Sequence, residues 1–143
     1  MNQWEIASST LYKNWGQVHN GAIYAMAVSL DNAYVITTDY FGNMKQWNIT
    51  LQKLEKDYMK VCSEEIKAIA ISLDSHFVFV TDNGGFLKQF SIRDHVLVHD
   101  YGQVHKHGIT DIICTNEYIY TTDDKGHMKQ YYFHTGKNVN DNK

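Results

Sequence analysis

Apolar and polar positions alternate in short runs along this chain, and Asp, Asn and Gly break the runs every few residues. "IYAMAVS", from Ile23, is apolar and strand-forming, and "LDN" after it is turn chemistry. "YVITT" comes next, then the Asp/Gly turn "DYFG". In "NMKQWNI" the period of two sets Met44, Gln46 and Asn48 on one face and Lys45 and Trp47 on the other. "LEKDYMKV", from Leu54, reads as a further strand. No stretch sustains a helical period. Aromatic residues make up 13% of the chain and Pro is absent, which also favours strands.

The same string of elements recurs. Ile23, Ile66 and Ile109 open three similar segments, each 43 residues after the last. The third segment is two residues shorter in its first turn, "TNE" against "SLDNA" and "SLDSH". The linkers "LYKNWGQVH", "LEKDYMKVC" and "LVHDYGQVH" repeat as well, and "QWEI" at Gln3 anticipates "QWNI" at Gln46. A period of about 40–45 residues marks a repeat architecture. Four antiparallel strands per repeat describe the blade of a β-propeller. The expected fold is all-β, a single domain over 1–143 with three four-stranded blades. The repeat units run over 7–49, 50–92 and 93–133, and 134–143 is a polar tail.

These segments resemble the WD-repeat family. His19 and His105 stand four residues before Ile23 and Ile109, where that family places a His. Ser29-Leu30-Asp31 and Ser72-Leu73-Asp74 match its turn with Leu for Pro, and Trp47, Phe90 and Tyr131 take its Trp position. Family blades are often tied by a His–Ser/Thr–Asp–Trp hydrogen-bond set, with the Asp six residues before the Trp. Phe41, Gly84 and Lys125 occupy that place here, so the set is expected not to form. Asp39, Asp82 and Asp123 are expected only to close their turns. Cys62 replaces the His in the second unit.

The motif Gly-x-x-Lys-Gln-aromatic, written three times, then has a structural reading. Trp4, Trp47, Phe90 and Tyr131 are expected to pack between blades, where a large ring removes most apolar area. Gly42, Gly85 and Gly126 serve the turns. Lys45, Lys88 and Lys129 lay their stems on the same surface. The alternative use of these lysines is a central basic ring for a small anion or phosphopeptide.

Three blades do not close a ring, since propellers have 4–8. Two copies give six, so a homodimer is expected, with a fourth strand near Leu11–Trp15 donated to complete the other copy's last blade. The competing closure is by another protein, with this chain a subunit or fragment of a larger propeller. A net charge of −3 leaves no basic footprint for nucleic acid. No apolar run is long enough for a membrane span, and the polar N-terminus and two Cys suit an intracellular, cytoplasmic setting.

Catalytic motifs are absent: no Gly-x-Ser-x-Gly, P-loop, His-Glu-x-x-His or Cys-x-x-Cys occurs. His105 and His107 are two apart without a recurring carboxylate or thiol, so neither a metal nor a cofactor is expected. The function read from the sequence is a non-catalytic protein–protein interaction scaffold. Its partner-binding rim is assigned to Trp15, Tyr40, Phe41, Tyr58, Tyr101, His107 and Lys125.

Overall fold

The computed structural model describes residues 1–133 and 135–142; of the polar tail, His134 and Lys143 lie outside the described residues. Among the described residues, thirteen strands form four antiparallel sheets. β3 (Ile23–Val28), β4 (Tyr34–Asp39), β5 (Asn43–Asn48) and β6 (Lys53–Lys60) make the first full sheet in sequential order. β7 (Ile66–Ile71), β8 (Phe77–Asp82), β9 (Phe86–Ser91) and β10 (Leu97–Gln103) make the second. β11 (Ile109–Cys114), β12 (Tyr118–Asp123) and β13 (Met128–Tyr132) make the third. β1 (Asn2–Glu5) and β2 (Thr10–Asn14) form a two-stranded sheet.

The innermost strands stand side by side, β3 against β7 and β7 against β11, so the sheets are stacked as blades around one axis. The sequence repeat and the sheet are offset. Each repeat unit begins with the outer strand of one blade and continues into the inner three strands of the next, which ties neighbours covalently.

Two apolar layers fill the junctions. Between the first and second blades lie Ile36, Met44, Val61, Cys62, Ile66, Val78, Val80 and Phe90. Between the second and third lie Phe79, Leu87, Val104, Ile109, Ile112 and Tyr131. The alternation read from "NMKQWNI" is the one observed. Met44 faces the following blade, and Trp47 faces back toward β1–β2, where it packs with Val18 and Val35.

Both ends of the chain correct the expected strand count. β2 is not a lone outer strand: it is paired with β1 through Trp4↔Leu11, the register of Trp47↔Leu54 in β5–β6 and of Phe90↔Leu97 in β9–β10. The N-terminal piece is therefore the outer half of a blade, strands three and four. At the other end the third blade has three strands, and the tail starts toward a fourth. Tyr132 N–H donates to Lys137 C=O at 2.9 Å and Gly136 N–H to Tyr132 C=O at 2.8 Å, as Ser91 does to Val96 and His95 to Ser91 one blade earlier. A bridge Tyr131↔Asn138 puts Asn138 where the other blades have Leu, and a 3-10 turn (Val139–Asn142) comes after it in place of a strand.

Candidate functional site

The motif residues meet in the junctions. In the first blade His19, Thr37, Asp39 and Trp47 form one buried hydrogen-bonded set. His19 Nδ1 lies 3.1 Å from Asp39 Oδ2 and Nε2 lies 2.7 Å from Thr37 Oγ1; Trp47 Nε1–H donates to the same hydroxyl oxygen at 2.9 Å. With a neutral ring, Nδ1–H donates to the carboxylate and Nε2 accepts from the Thr37 hydroxyl. The third blade repeats the set with His105, Asp123 (3.1 Å) and Thr121 (2.8 Å).

The expectation that this network cannot form is thus overturned. The carboxylate comes from the Asp two residues earlier in the turn. Its second oxygen still closes that turn, as Asp39 Oδ1 accepts the N–H groups of Phe41 and Asn43. One carboxylate serves both roles because an ionised oxygen pair accepts several bonds.

The second blade has replaced three of the four members of the set. Cys62, Val80 and Phe90 stand where the first blade has His19, Thr37 and Trp47, and all three are buried. Donor and acceptors have been lost together, which leaves little unsatisfied. Asp82 remains, holding the N–H groups of Gly84 and Phe86 at 3.0 Å.

The electrostatics reflect these differences. Burial lowers the pKa of His19 and His105 against the pull of their aspartates, so both rings stay neutral at pH 7. Burial works to raise the Asp39 and Asp123 carboxyls. Hydrogen bonds outweigh it and hold both below the usual range: from Asn43 and His19 for Asp39, and from His127, Lys125 and His105 for Asp123. For Asp82 burial outweighs the backbone N–H groups of Phe86 and Gly84, and its pKa is raised. Burial likewise pushes the Cys62 thiol up to about 12, which makes it an inert core residue.

The lysines lie on the third strand of each blade, away from the axis. Lys45 Nζ donates to Val18 C=O at 2.9 Å, Lys88 to Val61 C=O at 2.7 Å, and Lys129 to Val104 C=O. Each ammonium is committed to its own junction, so the three do not make a central ring. Gln in the motif has a role that sequence reading missed. Tyr58 O–H donates to Gln46 Oε1 at 2.7 Å, Tyr101 O–H to Gln89 Oε1 at 3.1 Å, and Trp15 Nε1–H to Gln3 Oε1 at 3.4 Å. The recurrent spacing of twelve residues between Gln and aromatic was the available signal.

That same bond corrects the rim assignment. Trp15, Tyr58 and Tyr101 occupy one repeat position and pack inward, edge-on to Trp47, Phe90 and Tyr131. Tyr40 and Phe41 stay about half exposed and form an edge-to-face chain with Tyr24, at 5.5 and 5.9 Å. Phe41 lies over Gly21, where a Cβ would come within 2.7 Å of the ring. The pair overlooks a cleft of about 280 Å³ between the first two blades, with Lys60, Glu64 and Glu65. His107 and Lys125 are exposed at the third blade. His105 is buried in its own set.

Position-matched residues reveal two open faces. Met44 and Leu87 are fully buried by the following blade, whereas Met128 is 68% exposed. Beside it Ile113 and Tyr120 line a shallow apolar hollow. On the other side, Ile66 and Ile109 are fully buried by the preceding blade, and Ile112 nearly so. Ile23, Met26 and Val28 are 38%, 54% and 49% exposed. Trp4 is 60% exposed, against 6–9% for Trp47, Phe90 and Tyr131. Among the described residues no group of three His, Cys, Asp or Glu is placed to hold a metal, and no helix is long and apolar enough to cross a membrane.

No family model matches the chain, and no curated protein matches its sequence. Solved structures match it closely in shape. The crystal structure of the RRP9 WD40 repeats superposes with a TM-score of 0.79 at 12% identity over 86% of this chain. The structure of U3-55K gives 0.79 at 13% identity over 86%. The chain spans 39% of the length of each. Sheets of sequential antiparallel strands, stacked by their inner strands, agree with those neighbours: the chain has the WD40-repeat propeller fold.

Proposed function

We propose that the chain is a non-catalytic protein-interaction scaffold, an arc of a WD40 propeller that functions inside a ring completed by further blades. The observation that carries this is the pair of open faces. The same repeat position is fully buried in Met44 and Leu87 and 68% exposed in Met128. A side chain of that size gains about 1.5–3 kcal/mol on burial, and soluble proteins rarely leave such faces uncovered.

The strand count bears on what completes the ring. A second copy that donates β2 to the third blade would bring β1 with it, and β13 already holds the third-strand place there. The tail has begun the fourth-strand turn as well. A six-bladed homodimer therefore requires strands to be displaced, whereas blades from another polypeptide require none. The second closure is the better supported. With the ring complete, the aromatic rim of Tyr24, Tyr40 and Phe41 is the surface left for a further protein partner. The junction lysines leave no basic ring for an anion or phosphopeptide.

Sedimentation velocity across micromolar to nanomolar concentration tests the reading. Without the completing blades the purified chain is expected to form no discrete dimer. A stable dimer that Met128→Lys dissociates would assign the closure to a second copy and overturn the reading.

A further inference from the structure

The N-terminal half-blade leaves a gap of definite shape. β1 pairs with β2 on one edge, and among the described residues nothing pairs with its other edge. In both full blades the third strand is paired on both edges, β5 with β4 and β6, β9 with β8 and β10. The half-blade is nonetheless docked. Trp15 packs on Trp47 with ring centroids 5.9 Å apart, the Met1 ammonium donates to Gly16 C=O at 2.9 Å, and Trp15 N–H donates to Met1 C=O at 2.8 Å. The outer half of a blade is thus in place, and beside β3 the inner half is not. Along that side run Ile23, Met26 and Val28, exposed where their counterparts in the next two blades are buried or partly buried.

Trp4 states what is lacking in chemical terms. Its counterpart Trp47 gives its indole N–H to Thr37, which is tied to His19 and through it to Asp39. Those partners sit on the second strand of the blade and just before its first. Trp4, at the same register in β1, has neither strand beside it, and its indole N–H has no hydrogen-bond partner among the described residues. A passing peptide strand would pair with β1 but would not supply the His. A hairpin would supply both.

We infer that the half-blade β1–β2 is a docking site for a two-stranded β-hairpin from a separate polypeptide, one with the chemistry of a blade's inner half. Its first strand carries small side chains on the face toward Ile23, Met26 and Val28, as Ala25 and Ala27 do where the first blade meets the second. Its second strand pairs with β1 and bears Thr-x-Asp, with the Thr opposite Asn2 as Thr37 is opposite Lys45. A His precedes the first strand. The hairpin continues an interface the molecule already has, the Trp15–Trp47 junction, toward the axis. This rests on the reading that further blades complete the ring.

The test titrates the full ¹⁵N-labelled chain with a synthetic peptide of residues 18–40, which carries His19, Thr37 and Asp39 in their native spacing. The readouts are the Trp4 indole N–H, assigned by its loss in Trp4→Phe, and the β1 amides. Saturable downfield movement and slowed exchange of the Trp4 indole are expected. A peptide with Thr37→Val should bind about tenfold more weakly, and Met26→Lys in the chain should abolish binding. An unmoved Trp4 indole, or equal binding by the native and Thr37→Val peptides, would overturn the inference. So would changes confined to Ile113 and Met128, which would nevertheless leave the ring-completion reading standing. Movement of the Trp4 indole with chain concentration alone, without peptide, would assign the gap to a second copy and overturn the separate polypeptide.

Discussion

Thr37 is the residue on which the first blade's polar set turns. Its hydroxyl serves both the His19 ring and the Trp47 indole in a buried site. Thr37→Val should destabilise the chain by about 2–3 kcal/mol in urea denaturation, because two buried donor–acceptor contacts lose their partner while their desolvation remains. The triple change His19→Cys, Thr37→Val, Trp47→Phe copies the second blade. It should cost less than the sum of the three single changes, since it removes donor and acceptors together. A summed or larger cost would mean that the second blade relies on adjustments elsewhere.

Asp82 is the counterpart case. Its pKa is raised from 3.8, so the folded state takes up a proton before the unfolded one does. Its charge therefore opposes folding above its folded pKa, and that opposition fades as pH falls. Asp82→Asn keeps an oxygen for the two turn N–H groups and should be neutral or stabilising at pH 7. Asp39→Asn and Asp123→Asn should destabilise at pH 7, because those carboxyls are held below 3.8 in the fold. Their contribution is present above about pH 3.8 and is lost as pH falls through their folded values. His19 and His105 act earlier. The unfolded chain protonates near 6.5 while the folded rings resist, so stability should start to fall below about pH 6.5. Thermal melts of the wild type and the three Asn variants from pH 8 to 2 check the signs.

At the scale of the element, the turn between the second and third strands shows how a neighbour alters one conformation. Gly42, Gly85 and Gly126 all have positive φ, at 84°, 87° and 85°. A Cβ on Gly85 would lie 2.0 Å from His105 C=O, because the linker to the next blade presses on the turn; a Cβ on Gly126 would meet nothing within 4 Å. Gly126→Ala should cost about 1 kcal/mol for the backbone alone. Gly85→Ala should cost at least twice that, by denaturant midpoint at constant m. Equal costs would show that the linker yields freely. Strand positions, turns and the in–out alternation were legible in the sequence because a period of two and Asp/Gly punctuation are local signals. The Gln–aromatic bond was also written there, as a constant spacing of twelve. The tie between His, Thr, Asp and Trp was not. Which Asp reaches the His depends on how tightly the turn closes, and counting back from the Trp places it two residues off.

Across the whole molecule, the number of blades per chain could be counted from the repeat, but the state of the end strands could not. "QWEI" marks a third-strand fragment; whether it pairs with the next strand depends on a hairpin whose turn, 6–9, has no repeat to compare with. Likewise "TGKNVN", from Thr135, departs from the other fourth strands in composition, yet Gly136 and Lys137 make their turn's hydrogen bonds with Tyr132, because backbone groups set those bonds and do not need Leu at position 138. Exposure of the end faces is also a property of the stack and of no single residue. Met128 would read as core from its sequence position alone.

Offset repeats turn the stack into a row of nearest-neighbour couplings in which the second sheet alone has the inner strands of a blade on either side. Opening should therefore start from the ends and move inward, independently of which blade holds the more favourable polar set. Native-state hydrogen exchange should find the slowest amides in β8 and β9, at a free energy near that of global unfolding, with β1 and β13 exchanging through smaller openings. The sheet that lost its His, Thr and Trp would then be the last to let go, kept by its place in the row.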